Sequence, residues 1–209
     1  MPVSVNNEIP AKTVERLVVY RRLLQKLAEQ GEQYVHSREI SEMANNSAAQ
    51  VRRDLMIIGY SGSPAKGYDV NELIKRINRV FEKKGGQKVA LVGIGKLGRA
   101  LLAYFSLRQP RLKIVAAFDN DPGKVNKETH GCPCYHIDEM TRVISEAGAT
   151  VGIITVPAQD AQHAADLMLM AGVTGILNFA PTRLKVPAHA VVDDVDIATK
   201  LEKVAFFCD

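Results

Sequence analysis

The sequence predicts a two-domain α/β chain, a small N-terminal winged-helix domain followed by a Rossmann-type, doubly wound parallel sheet. Three observations predict it. Residues 13–81 carry apolar stripes at helical spacing with one turn-rich interruption. Beyond Gly86, apolar strand-like runs alternate with helical ones, the pattern of a parallel α/β sheet. The first of those strands runs directly into Gly93-Ile94-Gly95-Lys96-Leu97-Gly98.

A length of 209 residues suits two modest domains better than one large core. The composition, 46% hydrophobic and 24% charged, is that of a globular chain. No apolar run approaches the roughly 20 residues that span a bilayer, so no membrane partner is expected. The opening residues lack a basic segment followed by an apolar one, so no secretory leader is expected. Three cysteines, an odd number without a disulfide framework, agree with a reducing compartment and a cytoplasmic location.

The pattern changes near Gly85-Gly86, which sets expected domains of 1–84 and 85–209. The first carries 14 Lys/Arg against 10 Asp/Glu, net +4, and the second 13 against 13. All the excess positive charge is N-terminal, which suits a polyanion partner but also an ordinary solvated basic surface.

Val14, Leu17, Val18, Leu24, Leu27 and Ala28 recur at three- and four-residue intervals on a first helix that Gly31 ends. Ser37 is the expected N-cap of a short second helix with Ile40 and Met43 on its apolar side. Asn45-Asn46-Ser47 breaks it, and a third helix aims Val51, Leu55 and Ile58 at a common core. Its outward side offers Ala49, Arg53 and Met56, flanked by Gln50 and Arg52. A short helix, a polar turn and a helix with outward Arg and Gln is helix-turn-helix organisation, with the second helix suited to the major groove of DNA. Arg52 and Arg53 suit guanine edges, while Ser47, Gln50 and Lys66 suit bases or phosphates. Residues 60–68 are rich in turn formers with tyrosines at both ends, as a β-hairpin wing is, with Lys66 near its tip. Asn71 to Phe81 is amphipathic and is read as a linker helix.

Expected strands then cover residues 88–92, 113–118, 133–135, 151–156, 175–178 and 190–192. In the glycine loop, Gly93 permits a tight turn, Gly95 lets backbone approach a pyrophosphate, and Gly98 allows close helix–strand packing. The helix that follows supplies amide donors and a positive dipole end. The next strand ends at Asp119, 21 residues beyond Gly98, the place of the carboxylate that binds adenosine ribose hydroxyls and selects NAD over NADP. A dehydrogenase would also need a substrate region and a proton-transferring residue. His163, flanked by Ala161, Ala164 and Ala165, is better read as exposed or structural than as that residue. His130, Cys132, Cys134 and His136 alternate, but residues two apart on a strand lie about 6.8 Å apart, too far to surround one tetrahedral ion. No metal is expected, and the two thiols are read as small hydrophobes on a sheet face.

Several runs carry a resemblance to a known family: Arg16-Leu17-Val18-Val19-Tyr20, Gln50-Val51-Arg52-Arg53-Asp54-Leu55, the glycine loop, Phe118-Asp119-Asn120-Asp121-Pro122-Gly123-Lys124, Thr155-Val156-Pro157 and Gly175-Ile176-Leu177-Asn178-Phe179-Ala180-Pro181. Over essentially its whole length the chain resembles the redox-sensing transcriptional repressors of the Rex family. The resemblance implies a homodimer that binds an inverted-repeat operator in double-stranded DNA, takes NADH and NAD+, and leaves the operator as NADH rises. It implies that Lys96, Leu97, Arg99, Tyr104, Asp121, Lys124, Thr155, Val156, Pro157 and Asn178 join Gly93, Gly95, Gly98 and Asp119 around the cofactor. It also implies coupling of ligand state to DNA binding through Arg22, Tyr104 and Asp196. Finally, it divides the second half into a sheet domain, 85–192, and a domain-swapped C-terminal helix, 193–209, exchanged between subunits. Ile197, Leu201, Val204, Phe206 and Phe207 make that helix apolar enough to want a partner. Two positions depart from the family pattern. Pro64 stands where many members carry arginine, which moves the expected basic wing contact to Lys66, and Asn126 stands at a turn usually built on glycine. The competing readings are a small NAD-dependent oxidoreductase and a metabolic CoA-binding subunit, the second of which leaves residues 1–84 unexplained.

Overall fold

The computed structural model describes residues 9–82, 86–108 and 111–208. The opening residues read for a leader, and Lys83 to Gly85 at the expected domain junction, lie outside the described residues. The chain forms two compact units, residues 1–83 and 84–209.

The first unit starts with α1 (Ala11–Glu29), which buries Thr13, Leu17, Tyr20 and Leu24. Strand β1 (Tyr34–Val35) leads into α2 (Ser37–Met43). The cap of α2 is His36 rather than Ser37, because the Glu39 carboxylate reaches back to accept the His36 N–H at 2.7 Å and shifts the capping box by one residue. Asn45 takes a left-handed φ of 48°, which makes the turn tight enough to start α3 (Ala48–Ile57) at its Ser47 cap. Ser63 and Gly67 exchange backbone hydrogen bonds of 2.7 and 2.8 Å and close the wing loop. The wing returns as β2 (Tyr68–Asp69), antiparallel to β1. Helix α4 (Val70–Phe81) is no linker: Val70, Leu73 and Ile77 are buried with Leu17, Tyr20, Leu24, Ile40, Val51 and Leu55 in one core. Its amphipathic stripe announced burial without saying against what, and the answer is α1.

The second unit runs β3 (Gln87–Val92), α5 (Lys96–Arg108), β4 (Leu112–Asp119), β5 (Lys127–Thr129), β6 (Cys132–His136), α6 (Met140–Ala147), β7 (Val151–Ile154), α7 (Ala158–Met170), β8 (Gly175–Asn178), β9 (Val191–Asp194) and α8 (Ile197–Phe206). The sheet order is β5-β6-β4-β3-β7-β8-β9, with every pair parallel except the β5–β6 edge hairpin. The parallel strands therefore wind outward in both directions from β3, the arrangement of a dinucleotide-binding sheet. Alternate β3 residues divide between two cores. Ala90 and Val92 pack with Met140, Ile144, Ala164 and Met168 of α6 and α7, while Val89 and Leu91 pack with Leu102 of α5 and with Cys132 and Cys134. Both thiols sit on the sheet face as apolar groups, and burial pushes Cys132 up to about 12. The edge strand β5 is three residues long with no apolar alternation to predict it, and the last strand falls at Val191–Asp194 rather than 190–192. Among the described residues no helix is long and apolar enough to cross a membrane.

Candidate functional site

The carboxyl ends of β3 and β7 flank the point where the sheet reverses direction, and the glycine loop lies there. Gly93 turns with φ 95° and donates its N–H to the Phe118 carbonyl at 2.8 Å. The predicted strand to Val156 stops at Ile154, which frees Thr155, Val156 and Pro157 to form a loop facing the glycines. The Thr155 hydroxyl lies 2.9 and 2.8 Å from the Val92 and Gly93 carbonyls, so it fastens one loop to the other.

The three glycines answer different demands. A Cβ on Gly93 would sit 2.8 Å from the Thr155 backbone, and one on Gly98 would strike the Gly93 carbonyl oxygen. A Cβ on Gly95 would meet nothing within 4 Å. Packing within the protein thus explains Gly93 and Gly98, while Gly95 borders open space at the start of α5, where a pyrophosphate needs close backbone approach. Lys96, Leu97 and Arg99 follow on the exposed first turn of α5, with the Arg99 guanidinium folded back on the Ile94 carbonyl at 3.3 Å.

Asp119 ends β4 with its side chain only 7% exposed. It accepts the Ile94 N–H at 2.7 Å and the Asp121 N–H at 2.9 Å, and Lys124 Nζ stands 3.2 Å from both of its oxygens. Burial works to raise its pKa, but those amide donors and the ammonium outweigh it and hold the carboxyl below the ordinary range. Asp121 accepts the Gly123 N–H at 2.8 Å and lies 3.4 Å from Lys124. Asn178 is fully buried and its amide is spent inside the protein, donating to the Ala180 and Thr182 carbonyls and to Asp194 while accepting the Ala180 N–H. Its side chain shapes the loop after β8 rather than projecting toward a ligand. Tyr104 is 43% exposed on α5 and packs edge-on against Phe105. Arg22 is exposed on α1, and Asp196 caps α8 by accepting the Thr199 N–H at 3.0 Å.

In the first unit, Ala49, Arg52, Arg53 and Met56 are exposed along α3 as expected. Ser47 caps the helix by accepting the Gln50 N–H. The Gln50 side chain, expected to reach bases or phosphates, instead turns inward and donates to Asp54 at 2.9 Å. Lys66 is exposed on the wing, its ammonium 5.7 Å from the centre of the Tyr34 ring.

Two family profiles match the chain in series: "Putative DNA-binding protein N-terminus" over residues 8–55 and "CoA binding domain" over residues 82–182. The redox-sensing transcriptional repressor Rex of Anoxybacillus flavithermus is 41% identical over 206 residues, covering 97% of each chain. The chain belongs to the Rex family. The Rex of Listeria welshimeri is 39% identical over 202 residues, 97% of this chain and 94% of that one. Among solved structures, the Rex-family repressor RSP superposes with a TM-score of 0.87 in its complex with NAD+ and operator DNA, at 27% identity over 95% of this chain and 91% of that one. RSP bound to NADH superposes at 0.84, with 26% identity over 96% of this chain and 94% of that one.

Two of the runs that suggested Rex membership meet in a cluster that sequence reasoning missed. Asp54 of α3, wholly buried, receives both Arg16 Nε and a terminal guanidinium nitrogen at 2.7 Å, Tyr20 Oη at 3.0 Å, Thr13 at 3.3 Å and the Gln50 amide. Asn46, in the turn before α3, donates to the Tyr20 oxygen at 3.1 Å. The signal was an acid placed between Val51 and Leu55 on the apolar side of a helix, which demands buried donors. Burial opposes ionisation of Asp54, but the Arg16, Gln50 and Tyr20 hydrogen bonds prevail and lower its pKa. Burial, then the adjacent Asp54, push Tyr20 up to about 12.

These shifts set opposite limits on pH. The lowered Asp54 contributes stability that is present above the ordinary aspartate pKa of about 4 and lost as pH falls through its folded value. The raised Tyr20 contributes stability that is present below about pH 10, the ordinary tyrosine value, and lost as pH rises toward its folded value. Melting of the first unit should therefore hold level across neutral pH and fall beyond about pH 10, and Tyr20→Phe should reduce the alkaline fall, leaving the part contributed by Tyr60 and Tyr68, which burial also raises. An alkaline fall of equal size in both proteins would dismiss Tyr20 as its source.

Proposed function

We propose that the chain is a homodimeric transcriptional repressor that holds an inverted-repeat operator through α3 and the wing, and leaves it when NADH binds the glycine loop. One observation carries this reading: a helix-turn-helix with outward Arg52 and Arg53 shares a Rex-family chain with a dinucleotide loop whose Gly95 borders open space. The protein acts in the cytoplasm and turns over no substrate. His163, the candidate proton carrier, lies exposed on α7.

Gly93, Gly95, Gly98 and the first turn of α5 with Lys96, Leu97 and Arg99 receive the pyrophosphate. Asp119 with Asp121 and Lys124 holds the adenosine end. Thr155, Val156 and Pro157 border the nicotinamide side together with Tyr104, and Asn178 contributes through the loop it shapes. Helix α8 has no buried residue, with Leu201 68% and Phe206 80% exposed, and a second copy of the chain covers it. Arg22, Tyr104 and Asp196 link ligand state to DNA binding. The oxidised and reduced cofactors share the adenosine half, so discrimination rests on the nicotinamide ring. Coupling is reciprocal: whatever factor NADH takes from operator affinity, operator takes from NADH affinity.

Fluorescence anisotropy on the chain's own upstream promoter DNA, titrated separately with NADH, NAD+ and NADPH, tests this directly. Release by NADH alone supports the sensor; tight binding indifferent to all three leaves a repressor with another ligand, and no binding returns an enzyme to first place. In the same assay Arg53→Ala should cost about 1–3 kcal/mol and relax sequence preference, as loss of a base contact does. Lys66→Ala should weaken all sequences alike and reduce the salt slope by about one. Equal losses on operator and random duplex for Arg53→Ala would reassign that residue to the phosphates.

A further inference from the structure

The loop after β4 places one ammonium between two carboxylates. Lys124 Nζ lies 3.2 Å from Asp119 and 3.4 Å from Asp121, and its side chain is 26% exposed against 7% for Asp119 and 48% for Asp121. Asp119 is also committed to the Ile94 and Asp121 N–H groups. An incoming ribose therefore meets a carboxylate that is already well supplied with donors and a lysine that is already paired. A lysine at this place would otherwise suit a phosphate, being a mobile point charge with three donors.

We propose that Asp121 and Lys124 are specificity determinants for the adenosine end of the dinucleotide. Lys124 is a phosphate-competent cation held shut by two carboxylates, and rejection of a 2′-phosphate resides in that charge count rather than in Asp119 alone. The inference rests on the reading of Asp119 as the ribose acceptor. With both carboxylates present the group is net negative and repels a 2′-phosphate. With one neutralised it is neutral, and with both removed the freed ammonium attracts it. Asp121, the more exposed of the pair, is thus a part of the selectivity that the Rossmann pattern does not include.

Direct titration of the full chain with NADH and with NADPH, followed by dinucleotide fluorescence in the absence of DNA, tests this. The wild type should favour NADH by about tenfold or more, the scale of one added charge at a partly solvated site. Asp121→Asn should narrow that ratio several-fold, and D119S/D121N should abolish or reverse it. Adding Lys124→Ala to the double variant should remove the gained preference for NADPH, lowering the NADPH-to-NADH affinity ratio by about tenfold. An unchanged ratio in Asp121→Asn, or gained NADPH affinity that survives Lys124→Ala, overturns the proposal. Should the double variant fail to fold, the single Asp121→Asn variant still decides, and the wild type adds a check on the repulsion. Its preference should shrink as salt rises from about 0.05 to 0.5 M and screens the repulsion, and a flat ratio overturns the proposal. A wild type that binds neither dinucleotide overturns the nucleotide reading itself, whereas NADH binding with a lysine-independent ratio overturns this inference alone.

Discussion

Asp54→Ala should unfold the first unit while leaving the second able to bind dinucleotide. The buried carboxylate is the common acceptor for Arg16, Tyr20, Gln50 and Thr13, so its removal strands four donors at once. Breaking a buried pair from one side costs about 3–5 kcal/mol, and the lower end applies because Arg16 keeps some contact with water. A unit of this size has only about 3–5 kcal/mol in hand. A thermal scan should lose its N-terminal transition, operator affinity should vanish, and NADH fluorescence titration should match the wild type. Gln50→Ala is the graded comparison: it removes one donor and leaves the bidentate Arg16 pair, so it should cost about 1 kcal/mol. A full-strength N-terminal transition in Asp54→Ala would show that the cluster contributes little beyond packing.

That cluster marks where the sequence stops being legible. The glycine loop and Asp119 could be read directly, because a strand, three glycines and a terminal acid at fixed separations leave few other arrangements. The helix-turn-helix could be read for a similar reason: Val51 and Leu55 define an inside, so Ala49, Arg52, Arg53 and Met56 must lie outside. Asp54 broke that inside without an evident partner, since all of its partners but Gln50 are 34 to 41 residues away on α1. The two-residue strands β1 and β2 are too short to show any period, and α4 looked like a connector because a stripe does not name the surface it packs on. Only the resemblance puts Asn178 beside the cofactor. Nothing in its neighbourhood of sequence discloses that Asp194, on a parallel neighbour strand, would claim its amide at 2.8 Å.

Gly98→Ala and Gly95→Ala should both lose NADH-dependent release from operator, and for opposite reasons. The new Cβ at Gly98 would run into the Gly93 carbonyl oxygen and come within 3.0 Å of Thr155 Oγ1, the atom that fastens the two loops. Relief requires moving the start of α5 away from β3, an overpacking strain of about 1–3 kcal/mol, and the amides that should face a pyrophosphate move with it. The second unit should melt earlier and NADH affinity should fall by about a hundredfold or more, equivalent to some 2.7 kcal/mol. At Gly95 the Cβ meets no protein atom within 4 Å, so melting should be unchanged. Any loss of NADH affinity there is then a clash with the ligand alone, because no protein contact has been altered. Both variants should still hold the operator, since α3 belongs to the other unit. If Gly95→Ala binds NADH as the wild type does, the open space beside Gly95 is not where the pyrophosphate lies, whatever Gly98→Ala shows.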